Sequence, residues 1–135
     1  MKLFRIALCA VLFAMAVSAV GQTRPGDMVV DVPFPFVVAG QPLPAGRYIV
    51  AAGNNDVIRI FNSQTQGMYV PTHSASRSAS AGSKLVFHRY GQTYFLSAVW
   101  VTGNTSGREL FRSRAERELA DRKAEMELAV VHPTN

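Results

Sequence analysis

From Lys84 to Thr102 two apolar, aromatic runs flank a tight turn signal, the only such pair in the chain. Leu85 to Tyr90 and Thr93 to Val101 are separated by Gly91-Gln92, and glycine at the first turn position suits a type II′ β-hairpin. In that register Leu85, Phe87, Leu96, Ala98 and Trp100 share one face, with Arg89 opposite Tyr94. This is the core face. Val86, His88, Tyr90, Phe95, Ser97 and Val99 line the other face, which is too apolar for open water and calls for a cover. A three-residue loop with Gly91 in a bulge is the alternative, and it shifts the register.

Other stretches repeat the β pattern. Met28 to Ala39 has strand composition, but Pro33 and Pro35 cannot donate to a ladder, so the run is an edge strand or one broken between two sheets. Leu43-Pro44-Ala45-Gly46 turns the chain into Arg47 to Ala52, where Tyr48 and Val50 alternate with Arg47 and Ile49. The turn cluster Gly53 to Asp56 makes a second hairpin with Val57 to Phe61. Met68 to Thr72 is a short strand that Pro71 ends or places at an edge. Ser74 to Ser83 carries no apolar side chain larger than alanine and reads as a loop.

Ser113-Arg114-Ala115-Glu116 has capping-box spacing, which predicts a helix from Ser113 to about Val130, stopped by His132-Pro133. Ala115, Leu119 and Met126 form one thin seam on it and Ala120, Ala124 and Leu128 another. Neither makes a broad buried face. Such a helix lies over the sheet, projects into solvent, or pairs with a partner through Leu119 and Met126.

The amino terminus changes the setting. Lys2 and Arg5 precede an apolar run from Ile6 to Val17 and the small residues Val17-Ser18-Ala19, the pattern of a secretory signal peptide cut after Ala19, with Gly21 as the alternative. The run is too short for a comfortable membrane span. Removing 19 residues from 135 leaves 116, enough for one domain. It also removes Cys9, the one cysteine, so the exported fold rests on burial without disulfides. The expected organisation is signal peptide 1–19, leader 20–27, β domain 28–112, helix 113–131 and tail 132–135.

Loss of Lys2 and Arg5 takes the net charge from +5 to +3. From Arg108 onward basic and acidic residues balance, and the remaining cations are scattered. A nucleic-acid footprint needs clustering, so that class is set aside.

Candidate chemistry is sparse. His88, Arg89 and Tyr90 sit at a strand end beside a turn, but only His88 and Tyr90 share a face. Serines are many, without a G-x-S-x-G elbow. His73, His88 and His132 lack metal-ligand spacing, and no facing carboxylate pair or phosphate-cradling loop is visible. The residues therefore suggest no enzyme and no cofactor.

Val32-Pro33-Phe34, Phe36-Val37-Val38, Leu43 to Gly46 before Tyr48, Leu85 to Gly91, Tyr94-Phe95-Leu96, Trp100 and Ser113 to Glu116 occur in an order that covers most of the exported chain. This order resembles a family of small exported proteins of acidobacterial type to which no activity is assigned. The resemblance implies a bacterial periplasmic or extracellular location and carries over no functional residues.

The expected fold is mainly β, an antiparallel sandwich or small open barrel with one C-terminal helix. The expected function is a non-catalytic interaction or structural module, self-associating or binding a protein partner. The alternative is a binder of a small apolar ligand lined by Phe34, Phe36, Phe87, Leu96 and Trp100, and a third reading is an enzyme using His88.

Overall fold

The computed structural model describes residues 27–52, 56–75, 82–102, 107–122 and 124–134. In chain order the first strands are β1 (Met28–Val32), β2 (Phe36–Val38), β3 (Gln41–Leu43), β4 (Gly46–Ala52), β5 (Val57–Asn62) and β6 (Thr65–Ala75). There follow β7 (Lys84–Tyr90), β8 (Thr93–Trp100), β9 (Gly107–Leu110), the helix α1 (Arg114–Asp121) and β10 (Met126–Val131). Among the described residues the protein is mainly β with one helix, and its sheet is not closed into a barrel. The predicted signal peptide, the leader to Gly26, residues 53–55 of the predicted turn and residues 76–81 of the predicted loop lie outside the described residues.

One group of strands runs β1-β4-β5-β6, all antiparallel. The other is built on β8, with β7 along one edge and β9 and β2 sharing the opposite edge. β10 pairs outside β7, and β3 pairs outside β2. Strand β6 belongs to both groups: it pairs with β5 as far as Pro71 and with β9 from Thr72 to Ala75. Proline has no amide hydrogen to give, so it sits where the ladder changes partner. The strand therefore outlasts its predicted end at Thr72 and takes up Ser74, which the composition placed in a loop.

The Pro33 to Pro35 stretch resolves the ambiguity of the first run. β1 joins β4, β2 joins β8, and the prolines lie between. Ala39 and Gly40 both take positive φ in the two-residue turn into β3, which is the primed-turn geometry of a tight hairpin. The hydrophobic core lies between the two groups of strands. Val30, Tyr48, Val50 and Ile58 come from the first, and Phe36, Val38, Leu85, Phe87, Leu96 and Val99 from the second. Phe34 packs beside them, edge-on to Phe87 at 5.0 Å and stacked on Tyr94 at 3.7 Å.

Two sequence expectations are corrected. The helix runs only from Arg114 to Asp121, and the last part of the predicted 113–131 helix, Met126–Val131, is strand β10. Ser113 caps it as expected, its hydroxyl accepting from the Glu116 amide at 3.2 Å. The later residues alternate Met126, Leu128, Val130 against Glu127, Ala129, Val131, and this period of two is taken up by pairing with β7. Ala129 and Val131 thereby reach the core.

The second correction concerns the central hairpin. The two-residue turn and the Arg89–Tyr94 pair are present, with Gly91 at φ 62. Between Phe87–Leu96 and Val86–Ala98, however, the register shifts by one residue. Ser97 is the extra residue of a bulge. Beyond it Val99, not Ala98, faces the core, and Trp100 turns outward with Ala98.

Candidate functional site on the outer face of the second sheet

The face of β7, β8 and β10 turned away from the core carries Val86, His88, Tyr90, Phe95, Ser97, Ala98 and Trp100, with Met126, Leu128 and Val130 beside them. Helix α1 supplies the cover that this apolar composition demands. It is delivered there by β9, whose pairing with β8 and β6 brings Leu110 to the sheet three residues before the Ser113 cap.

Under α1 lies a polar cluster. Glu116 is 3 % exposed although charged residues are rarely buried. Its Oε1 lies 2.5 Å from His88 Nδ1 and accepts from the Tyr90 hydroxyl at 3.3 Å. Arg112 Nε stands 3.8 Å from the same oxygen. On the far side of the imidazole, Ser97 Oγ is 2.9 Å from His88 Nε2. The Tyr90 phenol is pushed above its ordinary pKa, first by burial and then by the negative charge of Glu116. Ser97, His88 and Glu116 thus form one hydrogen-bonded line from β8 through β7 to the helix.

Two further features flank the cluster. On one side, between α1 and the β2–β3 hairpin, a groove of about 460 Å³ is lined by Val37, Pro42, Thr93, Phe95 and Leu119, with Glu118 and Arg122 also in its wall. On the other side Met126, Leu128 and Val130 stand 41 %, 63 % and 47 % exposed, in a row on one face of β10. β10 has a strand partner only in β7 among the described residues.

The structure sorts the sequence candidates differently from their prediction. Phe36, Phe87 and Leu96 are buried in the core and Phe34 packs against it, so they fill one another's space instead of surrounding a ligand. Trp100 faces outward, its ring close to Lys84 Nζ at 5.9 Å. Phe95 lines the groove in their place. Leu119 and Met126 do not form a seam, because Leu119 is on α1 beside the groove and Met126 is on β10. His88 and Tyr90 do share a face and a partner. Ser97 and Glu116 were missed as site residues: the capping spacing announced Glu116 as a helix residue, but nothing local tied it to His88, 28 positions earlier.

His73 forms a separate exposed contact with Glu109 at 3.2 Å and lies against the Phe111 ring. Among the described residues no group of three or more His, Cys, Asp or Glu side chains could hold a metal ion, and no helix is long and apolar enough to cross a membrane. Comparison with protein families, with curated proteins and with solved structures finds no match.

Proposed function

We propose that the chain is an exported interaction module of the bacterial periplasm or cell surface, and that it associates with a second copy of itself through β10. The exposed row Met126, Leu128, Val130 on an outermost strand carries this reading. The row is symmetric about Leu128. A two-fold axis there sets Met126 of one copy opposite Val130 of the other and Leu128 opposite itself, all on one face, so the surface is complementary to its own image. Strand pairing along the edge of β10 that β7 does not occupy would supply the ladder bonds. Export is supported by the amino-terminal pattern of Lys2, Arg5 and the apolar run to Val17.

Light scattering coupled to size exclusion tests this. A dimer at micromolar concentration that becomes monomeric in Leu128→Glu, with an unchanged circular dichroism spectrum, is the expected result. A monomer in the unaltered protein overturns it.

A second reading is favoured by the groove beside α1, whose Phe95, Val37 and Leu119 suit a small apolar ligand. Native mass spectrometry of the protein purified from its host would then show a mass excess that disappears on unfolding. Leu119→Arg should abolish the excess without altering the dimer.

A further inference from the structure

The line Ser97–His88–Glu116 has its atoms in a particular order. A carboxylate can only accept, so the His88 nitrogen facing Glu116, Nδ1, carries the proton of the neutral ring. That leaves Nε2 as an acceptor, and Ser97 Oγ stands 2.9 Å from it with a hydroxyl proton to give. A hydroxyl within reach of a base, whose far nitrogen is held by an acid, is the arrangement that activates a serine for attack on a carbonyl.

Two other observations bear on the same line. Ser97 is the extra residue of the β8 bulge, and a bulge redirects a side chain that a regular strand would otherwise fix. The burial is graded: the Glu116 side chain is 4 % exposed and that of His88 15 %, while Ser97 is neither buried nor fully exposed. The acid is the dry end, and the serine is the end that meets solvent. Tyr90 and Arg112 give Glu116 further polar neighbours, so the acid is positioned independently of the imidazole.

We propose that Ser97 is the nucleophile of a hydrolytic centre for small carboxylic esters, with His88 as general base and acid and Glu116 as the positioning residue. This goes beyond the interaction reading and does not depend on it. The apolar groove begins two residues along the same face, at Phe95, and suits a short acyl group. In the first half-reaction the Ser97 oxygen bonds to the ester carbonyl carbon as its proton passes to His88 Nε2. The carbon–oxygen bond to the alcohol then breaks, and the alcohol leaves with that proton. In the second half a water molecule repeats the attack on the acyl-serine, giving its proton to Nε2, and Ser97 recovers the proton as the carboxylic acid departs.

The test is labelling of the folded protein with a fluorophosphonate, located by peptide mass spectrometry, alongside hydrolysis of p-nitrophenyl acetate. A stoichiometric adduct on Ser97, absent from Ser97→Ala and slowed at least tenfold in His88→Ala, is expected. Glu116→Gln should displace the pH dependence of labelling as well as slow it, which a purely structural role would not do. Labelling absent from Ser97, or unchanged by loss of His88, overturns the proposal. Should His88→Ala fail to fold, Ser97→Cys decides. A thiol at position 97 that is alkylated by iodoacetamide well below the usual cysteine pH range supports activation by His88, and one that titrates like a free cysteine refutes it.

Discussion

His88 Nδ1 and Glu116 Oε1 lie 2.5 Å apart, joining the middle of β7 to the first turn of α1 across the outer face of the sheet. Glu116 has a second structural duty, because its amide is the one that donates to the Ser113 cap. One residue thus both starts the helix and fastens it. Removing the shared acceptor leaves the buried His88 and Tyr90 donors without a partner, so Glu116→Ala is expected to cost about 2–3 kcal/mol. Arg114→Ala breaks only the exposed i,i+4 pair with Glu118 and should cost about 0.5 kcal/mol or less. Urea denaturation of both variants checks this, and similar losses in the two would refute the anchoring role.

Trp100 and Gly107 are coupled by contact. A Cβ built on Gly107 meets Trp100 ring carbons at 2.7 Å, closer than any real side chain tolerates. Gly107→Ala should therefore destabilise the protein by about 1–3 kcal/mol through overpacking. Combining it with Trp100→Ala should recover part of that loss, and a double-mutant cycle measures how much. Strict additivity would mean that the ring is not what excludes a side chain there.

The same ring shows where sequence reasoning stops. The turn at Gly91 and the Arg89–Tyr94 pair were legible because turn chemistry and strand alternation are local. The bulge at Ser97 was not: no glycine marks it, and the residues just beyond it, Ala98 and Val99, pair with β9, a strand the hairpin alone does not contain. Everything beyond it changes face, including Trp100. The helix start at Ser113 was likewise written locally, whereas its end was set by pairing between β10 and β7, which are far apart in the chain. Alternation from Met126 to Val130 was present as a strand signal, but the preceding Ala115–Leu119 spacing favoured continuing the helix. The His88–Glu116 contact, joining a strand to that helix, needs the fold before it can be seen.

Asp31 ties down the carboxyl-terminal tail. It accepts from Arg47 Nε at 2.8 Å and from the Thr134 hydroxyl at 3.0 Å, while the Thr134 amide donates to Val29 O at 2.9 Å. The Arg47 hydrogen bond, then that of Thr134, lowers the Asp31 pKa in the folded protein. A lowered folded value gives stability that is present above the unfolded value, about 3.9, and is lost as pH falls through the folded one. The tail should loosen first under acid. The protection of the Thr134 amide, its exchange relative to the intrinsic rate at each pH, is expected to fall below about pH 4, and Asp31→Asn should lack that protection already at neutral pH. An Asp31→Asn protein with the exchange profile of the unaltered one would remove this link.

Tyr48 provides the corresponding dependence at the alkaline end. It is 1 % exposed, its ring meets Phe36 edge-on at 5.2 Å, and its hydroxyl donates to Pro44 O at 2.6 Å across the turn that begins β4. Burial raises its pKa, since a phenolate there would lose hydration. A raised folded value gives stability that is complete below the unfolded value, about 10, and is lost as pH rises through the folded one. Tyr48→Phe removes the Pro44 bond, at a cost of about 1 kcal/mol at neutral pH, and also removes the ionisable group. The variant should therefore be the less stable protein at pH 7, with the difference narrowing or reversing as pH climbs above about 10. Urea midpoints for both proteins at neutral and alkaline pH measure the two effects together. A constant difference across that range would show that alkaline unfolding does not pass through Tyr48, leaving Tyr90, whose phenol is also held high, as the group to replace next.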